Sequence, residues 1–430
     1  MSKHFLLAAL AALAVPCAHA GDDDWNLHLQ ATRVWQQQAA FSAPYTGAYS
    51  LRPQAAQGQS LSATASAGLR LGPETEVYLD AEAIGGRLLS ELHGLGGLSN
   101  GEQTKAGASG ITLYRARAYL RQQWALSETR EAVADDVHQL AGSQATRRLV
   151  LTAGNLSAAD LFDNNRYAHD PRSAFLNAAL MANGAWDYPA DARGYSWGAA
   201  LEYVDGKRVW RIGRFAVPQE SNGLPLDHAL ARHHADQAEF EQGYDWNGQA
   251  GNLRVLVFRN RARMGAFADA LASQPGAPDL ASVRREQIKR GLGLSWDQDL
   301  SAALGLFARL GSSDGHTETY SFAEIEQSAS AGLVLRGAGW GRADDRLGLG
   351  GARNGLHAAH RAYLGAGGHG AFLGDGRLRY ASEQIADAWY SAALAPGLDL
   401  SLDLQRIVHP GYNAERGPVR LAALRLHLQR

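Results

Sequence analysis

Leu61-Ser62-Ala63-Thr64-Ala65-Ser66-Ala67-Gly68-Leu69-Arg70-Leu71 alternates apolar and polar side chains without interruption. A period of two puts Leu61, Ala63, Ala65, Ala67, Leu69 and Leu71 on one face of a strand and the hydroxyls and Arg70 on the other. The same pattern returns at Leu300, Ala302, Leu304, Leu306, Ala308 and Leu310. It returns again where Leu398, Leu400, Leu402 and Leu404 alternate with Asp399, Ser401, Asp403 and Gln405. Each strand has one wet face and one apolar face.

Composition narrows the class. The 430 residues include 41 Lys+Arg and 43 Asp+Glu, a net charge of -2, with 46% hydrophobic and 20% charged residues. Such a chain folds rather than staying disordered. Near-neutrality argues against a nucleic-acid binder, which carries a basic face. No apolar run reaches the roughly 18 residues of a membrane helix. Lys occurs only at positions 3, 105, 207 and 289, so nearly all basic residues are Arg.

Residues 1–20 read as an export signal: Lys3, an apolar stretch from Phe5 to Val15, and Ala18-His19-Ala20 as the cleavage site. Pro16 before Cys17 argues against a lipoprotein. Cys17 is the single cysteine, so residues 21–430 contain none, and disulfides and cysteine-based metal or nucleophile sites are excluded.

The alternation continues through 21–430 without a compositional break, predicting a single domain. Seventeen strand candidates emerge; joining 317–326 and 328–337 across Gln327 as one bulged strand leaves sixteen, an even number as closed bacterial barrels have. Tight turns at Gly72-Pro73, Asp205-Gly206, Asn247-Gly248 and Pro396-Gly397 fall on one side. Long segments at 37–59, 85–111, 155–192, 217–236, 262–285 and 354–380 fall on the other. Segment 125–146 is an exception, long on the short-turn side. Trp35, Trp124, Trp197, Trp210, Trp246 and Trp296 stand near strand ends, where interface girdles lie. The expected fold is an all-β, up-and-down transmembrane barrel, with a soluble β-sandwich or β-helix as the competing reading of the same aromatics.

Several motifs carry a resemblance. They include Phe162-Asp163-Asn164-Asn165-Arg166-Tyr167-Ala168-His169-Asp170-Pro171-Arg172 and Asp187-Tyr188-Pro189-Ala190-Asp191-Ala192-Arg193-Gly194-Tyr195. Phe258-Arg259-Asn260-Arg261-Ala262, Thr317-Glu318-Thr319-Tyr320-Ser321-Phe322 and His409-Pro410-Gly411-Tyr412-Asn413 add to them. Together they span most of the chain, which resembles the carbohydrate-selective porin family of OprB type. The resemblance implies a sixteen-stranded barrel of the bacterial outer membrane that passes sugars by diffusion, with no cofactor. Its partners would be the sugars, outer-membrane lipid and the barrel-assembly machinery, and a homo-oligomer is compatible with it. Such porins usually end in an aromatic residue; here Arg430 takes that place.

Sugar selection needs hydrogen-bonding pairs at a constriction and an aromatic face for the ring. On 112–124, Arg115, Arg117 and Arg121 share one parity, opposite Tyr114, Ala116, Ala118 and Leu120. They are expected in the lumen, since lipid-facing Arg near midplane costs about 2–4 kcal/mol. Asp80 and Glu82 share the lumen face of the neighbouring strand. Mixed rows of both signs suit neutral polyols better than a one-sign ring; simple cross-strand pairing is the alternative for each residue.

The loop 155–192 is long enough to enter the pore. Asp170-Pro171 reads as a helix start and Asn183-Gly184 as its stop, with Phe175, Leu176, Leu180 and Met181 pinning the helix to the wall. Arg166, Arg172, Trp186, Asp191 and Arg193 are its candidate pore residues. The same residues are compatible with other functions: a general porin, a polysaccharide exporter docking a periplasmic partner at 125–146, or a lipid hydrolase. The last rests on Ser221-Asn222-Gly223, but its general base would stand at 219, which is Gln. His233-His234 lacks a third ligand for a metal site.

Overall fold

The computed structural model describes residues 24–103, 109–273 and 276–430; the candidate export segment 1–20 lies outside them. Sixteen antiparallel strands close into one barrel. In chain order they are β1 Trp25–Gln38, β2 Ala56–Gly72, β3 Thr75–Arg87, β4 Thr112–Ala125, β5 Arg147–Leu156, β6 Ser196–Asp205, β7 Arg208–Phe215 and β8 His234–Trp246. There follow β9 Gln249–Met264, β10 Arg285–Asp299, β11 Leu304–Ser313, β12 Gln327–Arg336, β13 Arg346–Gly355, β14 Glu383–Ala395, β15 Leu398–Val408 and β16 Val419–Gln429. Each strand pairs with its sequence neighbours, and β1 pairs with β16 in a register that sets Arg33 opposite Leu426. No described helix is long and apolar enough to cross a membrane.

The polarity is inside out. Leu402, Leu404 and Leu424 are exposed, whereas Asp403, Gln405 and Arg425, their neighbours in sequence, are buried. An apolar band around a closed barrel is stable against hydrocarbon, and closure leaves no strand edge unpaired. Trp25, Trp124, Trp210 and Trp246 are exposed close to the short-turn end, as interface girdles require. At the turn between β8 and β9, Asn247 and Gly248 both have positive φ (51° and 76°), the combination a two-residue hairpin needs.

Two features depart from the expectation, and a third fills in one that it left open. First, 317–326 is not a strand, and sixteen is reached by β12 alone. Its alternation is real, but every residue from Thr317 to Glu326 is buried. Its central amides bond to a side chain rather than to a neighbouring strand, those of Tyr320 and Ser321 donating to Asp187 at 3.0 and 2.8 Å, and only at its end does Glu326 reach the wall, donating to the Gly355 carbonyl at 3.1 Å. Glu318 and Glu324 in turn accept from amides of Gly265 and of Phe372 and Leu373.

Second, β4 carries a bulge. Asp80 stands opposite Arg117, but Ala81 stands opposite Arg115, so Ala116 is an extra residue. A bulge reverses the alternation beyond it. Arg117 therefore faces inward as expected, together with Tyr119, while Arg115 faces the lipid side and Tyr114 the lumen.

Third, 125–146 forms a small hairpin, Arg130–Val133 against Gly142–Ala145, whose tip returns to the inner wall. The His138 imidazole lies 2.8 Å from Asp80. Asn26 donates to Asp135 at 2.7 Å, and Arg121 to the His138 carbonyl at 2.7 Å.

Candidate functional site

The loop between β5 and β6 leaves the wall and crosses the lumen. Its helix is shorter than the sequence suggests. Asp170 caps only a turn, accepting from the Arg172 amide at 2.9 Å. The helix α1 is Ala178–Met181, capped by Asn177, whose side chain accepts from the Ala179 amide. Phe175, Leu176 and Leu180 are fully buried, and Phe175 packs against Phe307 and Trp389 of the wall at ring distances of 5.3 and 5.8 Å. The wall makes room with glycine: a Cβ on Gly311 would lie 1.9 Å from the Asn183 side-chain oxygen. Arg309 fixes the same stretch, bonding the Asp163 carboxylate at 2.9 Å and the Leu180 carbonyl at 2.9 Å.

The loop between β3 and β4 enters beside it. Ala178 donates to the Leu98 carbonyl and Gly101 to that of Leu176, which brings Glu102 into the lumen. A cavity is left between these two loops, β3 and the inserted 317–326 segment. Its lining includes Glu82, Glu102, Arg172, Arg193, Tyr195 and Phe322.

The charges here are matched. The Arg172 guanidinium bridges two carboxylates, with Nε 2.9 and 3.1 Å from the Glu102 oxygens and Nη2 3.1 Å from Glu82. Glu82 also accepts from Thr64 at 3.0 Å, from Tyr195 at 3.3 Å and from Tyr114. Burial pushes the Glu102 carboxyl up, against the pull of Arg172 and the Ser62 hydroxyl. Arg117 is held by Asp160 through two bonds of 2.7 Å and by Asp80 at 2.9 Å, with its guanidinium 5.1 Å from the Tyr195 ring.

Arg193 differs from both. Its guanidinium lies 4.5 Å from the Tyr114 ring and makes no ion pair among the described residues. Asp191 shapes the turn that presents it, accepting from the amides of Arg193 at 2.8 Å and Tyr195 at 3.2 Å. Arg193 is the arginine at this cavity whose donors are not already spent on carboxylates.

Of the sequence candidates, Glu82, Arg172 and Arg193 meet at the cavity, with Asp191 and Arg117 supporting it. Four lie elsewhere. Arg115 faces outward, its guanidinium 5.2 Å from the Trp197 ring. Asp80 is covered by Arg117 and His138 and has no exposed surface. Trp186 is buried against Phe162 and bonds Gln237 at 2.7 Å. Arg166 reaches the short-turn end, where it pairs with Asp297 and Asp299. Sequence reasoning missed Glu102, Tyr114, Tyr195 and Phe322. Ser221 donates to the Thr319 carbonyl at 2.6 Å, and His233 pairs with Asp227 at 2.6 Å.

Comparison with known proteins bears on the family and the fold. The family described as "Carbohydrate-selective porin, OprB family" matches residues 50–429. The chain resembles the high-pH structure of Pseudomonas putida OprB, with 17% identity, a TM-score of 0.72, and coverage of 95% of this chain and 94% of that one. It resembles the low-pH structure of the same protein with 13% identity and a TM-score of 0.51, covering 100% and 98% of the two chains. The outer membrane channel DcaP of Acinetobacter baumannii aligns with 10% identity and a TM-score of 0.54, over 95% and 97%. No curated protein matches.

Proposed function

The chain belongs to the carbohydrate-selective porin family, and from that premise we infer that it passes neutral mono- and oligosaccharides, selected at the cavity between Arg193, Arg172, Glu82, Glu102, Tyr195 and Phe322. As a member of that family it is an outer-membrane carbohydrate channel rather than an enzyme. The observation that supports the finer reading is the pairing of charges. At the cavity Arg172 and Arg193 stand with Glu82 and Glu102, two charges of each sign, so a passing ion meets no strong field of one sign. A sugar meets acceptor oxygens on Glu102, donors on Arg193, and the rings of Tyr195 and Phe322 in the cavity lining for its apolar face. The same balance disfavours export of an acidic polysaccharide, which calls for a uniformly basic lumen. Export through an N-terminal signal and insertion by the barrel-assembly machinery complete the proposal.

Conductance across a planar bilayer, titrated with glucose and maltose-type sugars, tests it. Sugars should reduce the ion current in a saturable way. A channel that conducts without block up to high millimolar sugar would be a general porin.

A further inference from the structure

The outer wall from β6 to β10 is layered in rows that run across the strands. Tyr203, Trp210, Phe240, Val255 and Leu294 stand opposite one another in one row. Leu201, Ile212, Ala238, Val257 and Leu292 form the next row toward the long-loop end, and Arg214, Asp236, Arg259 and Arg290 the row above that. Ala238 offers one methyl between the larger Ile212 and Val257. The result is an open furrow of about 580 Å³ on the outside of the barrel, floored by aliphatic side chains and ending at Arg214, Asp236 and Arg259.

The charged row is unbalanced. Arg214 takes Asp236 with both ends of its fork, at 2.7 and 3.1 Å. Arg259 reaches that carboxylate only at 3.5 Å. Arg290 stands directly across from Arg259; its backbone amide donates to the Asp314 carboxylate at 2.8 Å, but its guanidinium makes no ion pair among the described residues, so three arginines in the row face two aspartates. The nearby Glu286 is shared by Arg232 and Arg261. Like charges facing each other on adjacent strands destabilise a sheet, and repulsion grows where lipid replaces water as the medium. An anion between Arg259 and Arg290 would turn that repulsion into two charge-assisted bonds.

We propose that this face binds a phosphorylated, acylated glycolipid of the outer leaflet, its phosphate between Arg259 and Arg290 and an acyl chain along the furrow over Ala238. The long-loop end of such a barrel faces outward, and Arg259 and Arg290 stand ten and nine residues from the short-turn ends of β9 and β10, about 25 Å up a tilted strand, which puts this pair at the level of the outer-leaflet head groups. Basic side chains at a membrane surface attract anionic lipid, and the furrow adds apolar contact that a soluble phosphate could not use.

The purified barrel in detergent, titrated with bisphosphorylated lipid A and read by native mass spectrometry, tests this. The parent should retain one lipid A molecule. Arg259→Gln and Arg290→Gln should each weaken retention roughly tenfold, as loss of a charge-assisted bond implies. Ala238→Leu, which fills the furrow and leaves every charge in place, should weaken it as well. Arg406→Gln, which disrupts the Arg406–Arg420 facing pair of β15 and β16 far from the furrow, should retain lipid A like the parent. Equal retention of lipid A stripped of its phosphates would overturn the proposal without relying on any variant. So would equal loss in Arg406→Gln, or a dimer that forms through this face with no lipid bound. Sugar block should be unchanged in all of these variants, because the row lies outside the lumen.

Discussion

Arg193→Ala isolates hydrogen bonding from charge pairing at the cavity. The guanidinium makes no ion pair among the described residues and lies 4.5 Å from the Tyr114 ring, so its removal breaks no salt bridge and should leave folding nearly intact. If it gives a sugar two hydrogen bonds, each is worth about 0.5–1.5 kcal/mol with a neutral partner. Their sum, about 1–3 kcal/mol, corresponds to a five- to 140-fold loss of affinity. Arg193→Lys keeps the charge but loses the planar fork and the ring stacking, and should fall between parent and Ala. Current block by maltose-type sugars gives the affinity directly, and the reversal potential in a salt gradient reports ion selectivity in the same membrane. The Lys variant should weaken block with little change in reversal potential. If Arg193→Ala is blocked by sugar as well as the parent, the hydrogen-bonding role assigned to this residue is wrong.

Other consequences can be checked on the purified barrel. Phe175→Ala removes a fully buried ring between Phe307 and Trp389 and should cost about 3–5 kcal/mol, read as a lower thermal transition in detergent. Gly311→Ala would drive a methyl into Asn183, so the crossing loop should shift and single-channel conductance should change while the barrel still resists SDS until boiled. In the outer loops, burial alone would raise the Glu326 carboxyl, but the charge of His360 and its bond at 2.8 Å hold it below the usual carboxylate range. A depressed value means that Glu326 stabilises the fold above its unfolded pKa of about 4.3, and that the contribution is lost as pH falls through the folded value. Glu326→Gln should thus be less stable than the parent at neutral pH, with the gap closing in acid; a gap that widens below pH 4 would contradict this.

The barrel was legible because it rests on a period-two pattern that the backbone must obey everywhere, as in β2 and β15. The site was less legible because it depends on where that period breaks and on long-range contacts. Counting parity along β4 fails at Ala116, which misplaces both Arg115 and Tyr114. Segment 317–326 alternates as a strand does, yet its central amides, those of Tyr320 and Ser321, are satisfied by Asp187, a residue more than a hundred positions away. Nothing local marks Glu102 as a partner of Arg172, because the two belong to separate loops, 70 residues apart, that meet inside the barrel. Arg172 and Arg193 could be found because loop length and residue type alone make them candidates.

The bulge at Ala116 acts as a phase shift in the code that sorts side chains between oil and water. Residues 112–115 and 117–125 obey opposite rules on one continuous strand, so the same odd-numbered arginines serve a Trp197 ring outside and an aspartate pair inside. Deleting one alanine would restore a single phase, and the half of β4 before it would turn over. Leu113 would then face the water-filled lumen and Tyr114 would leave the carboxylate it now serves. A residue whose side chain is a lone methyl thus decides which side of the membrane wall its neighbours inhabit.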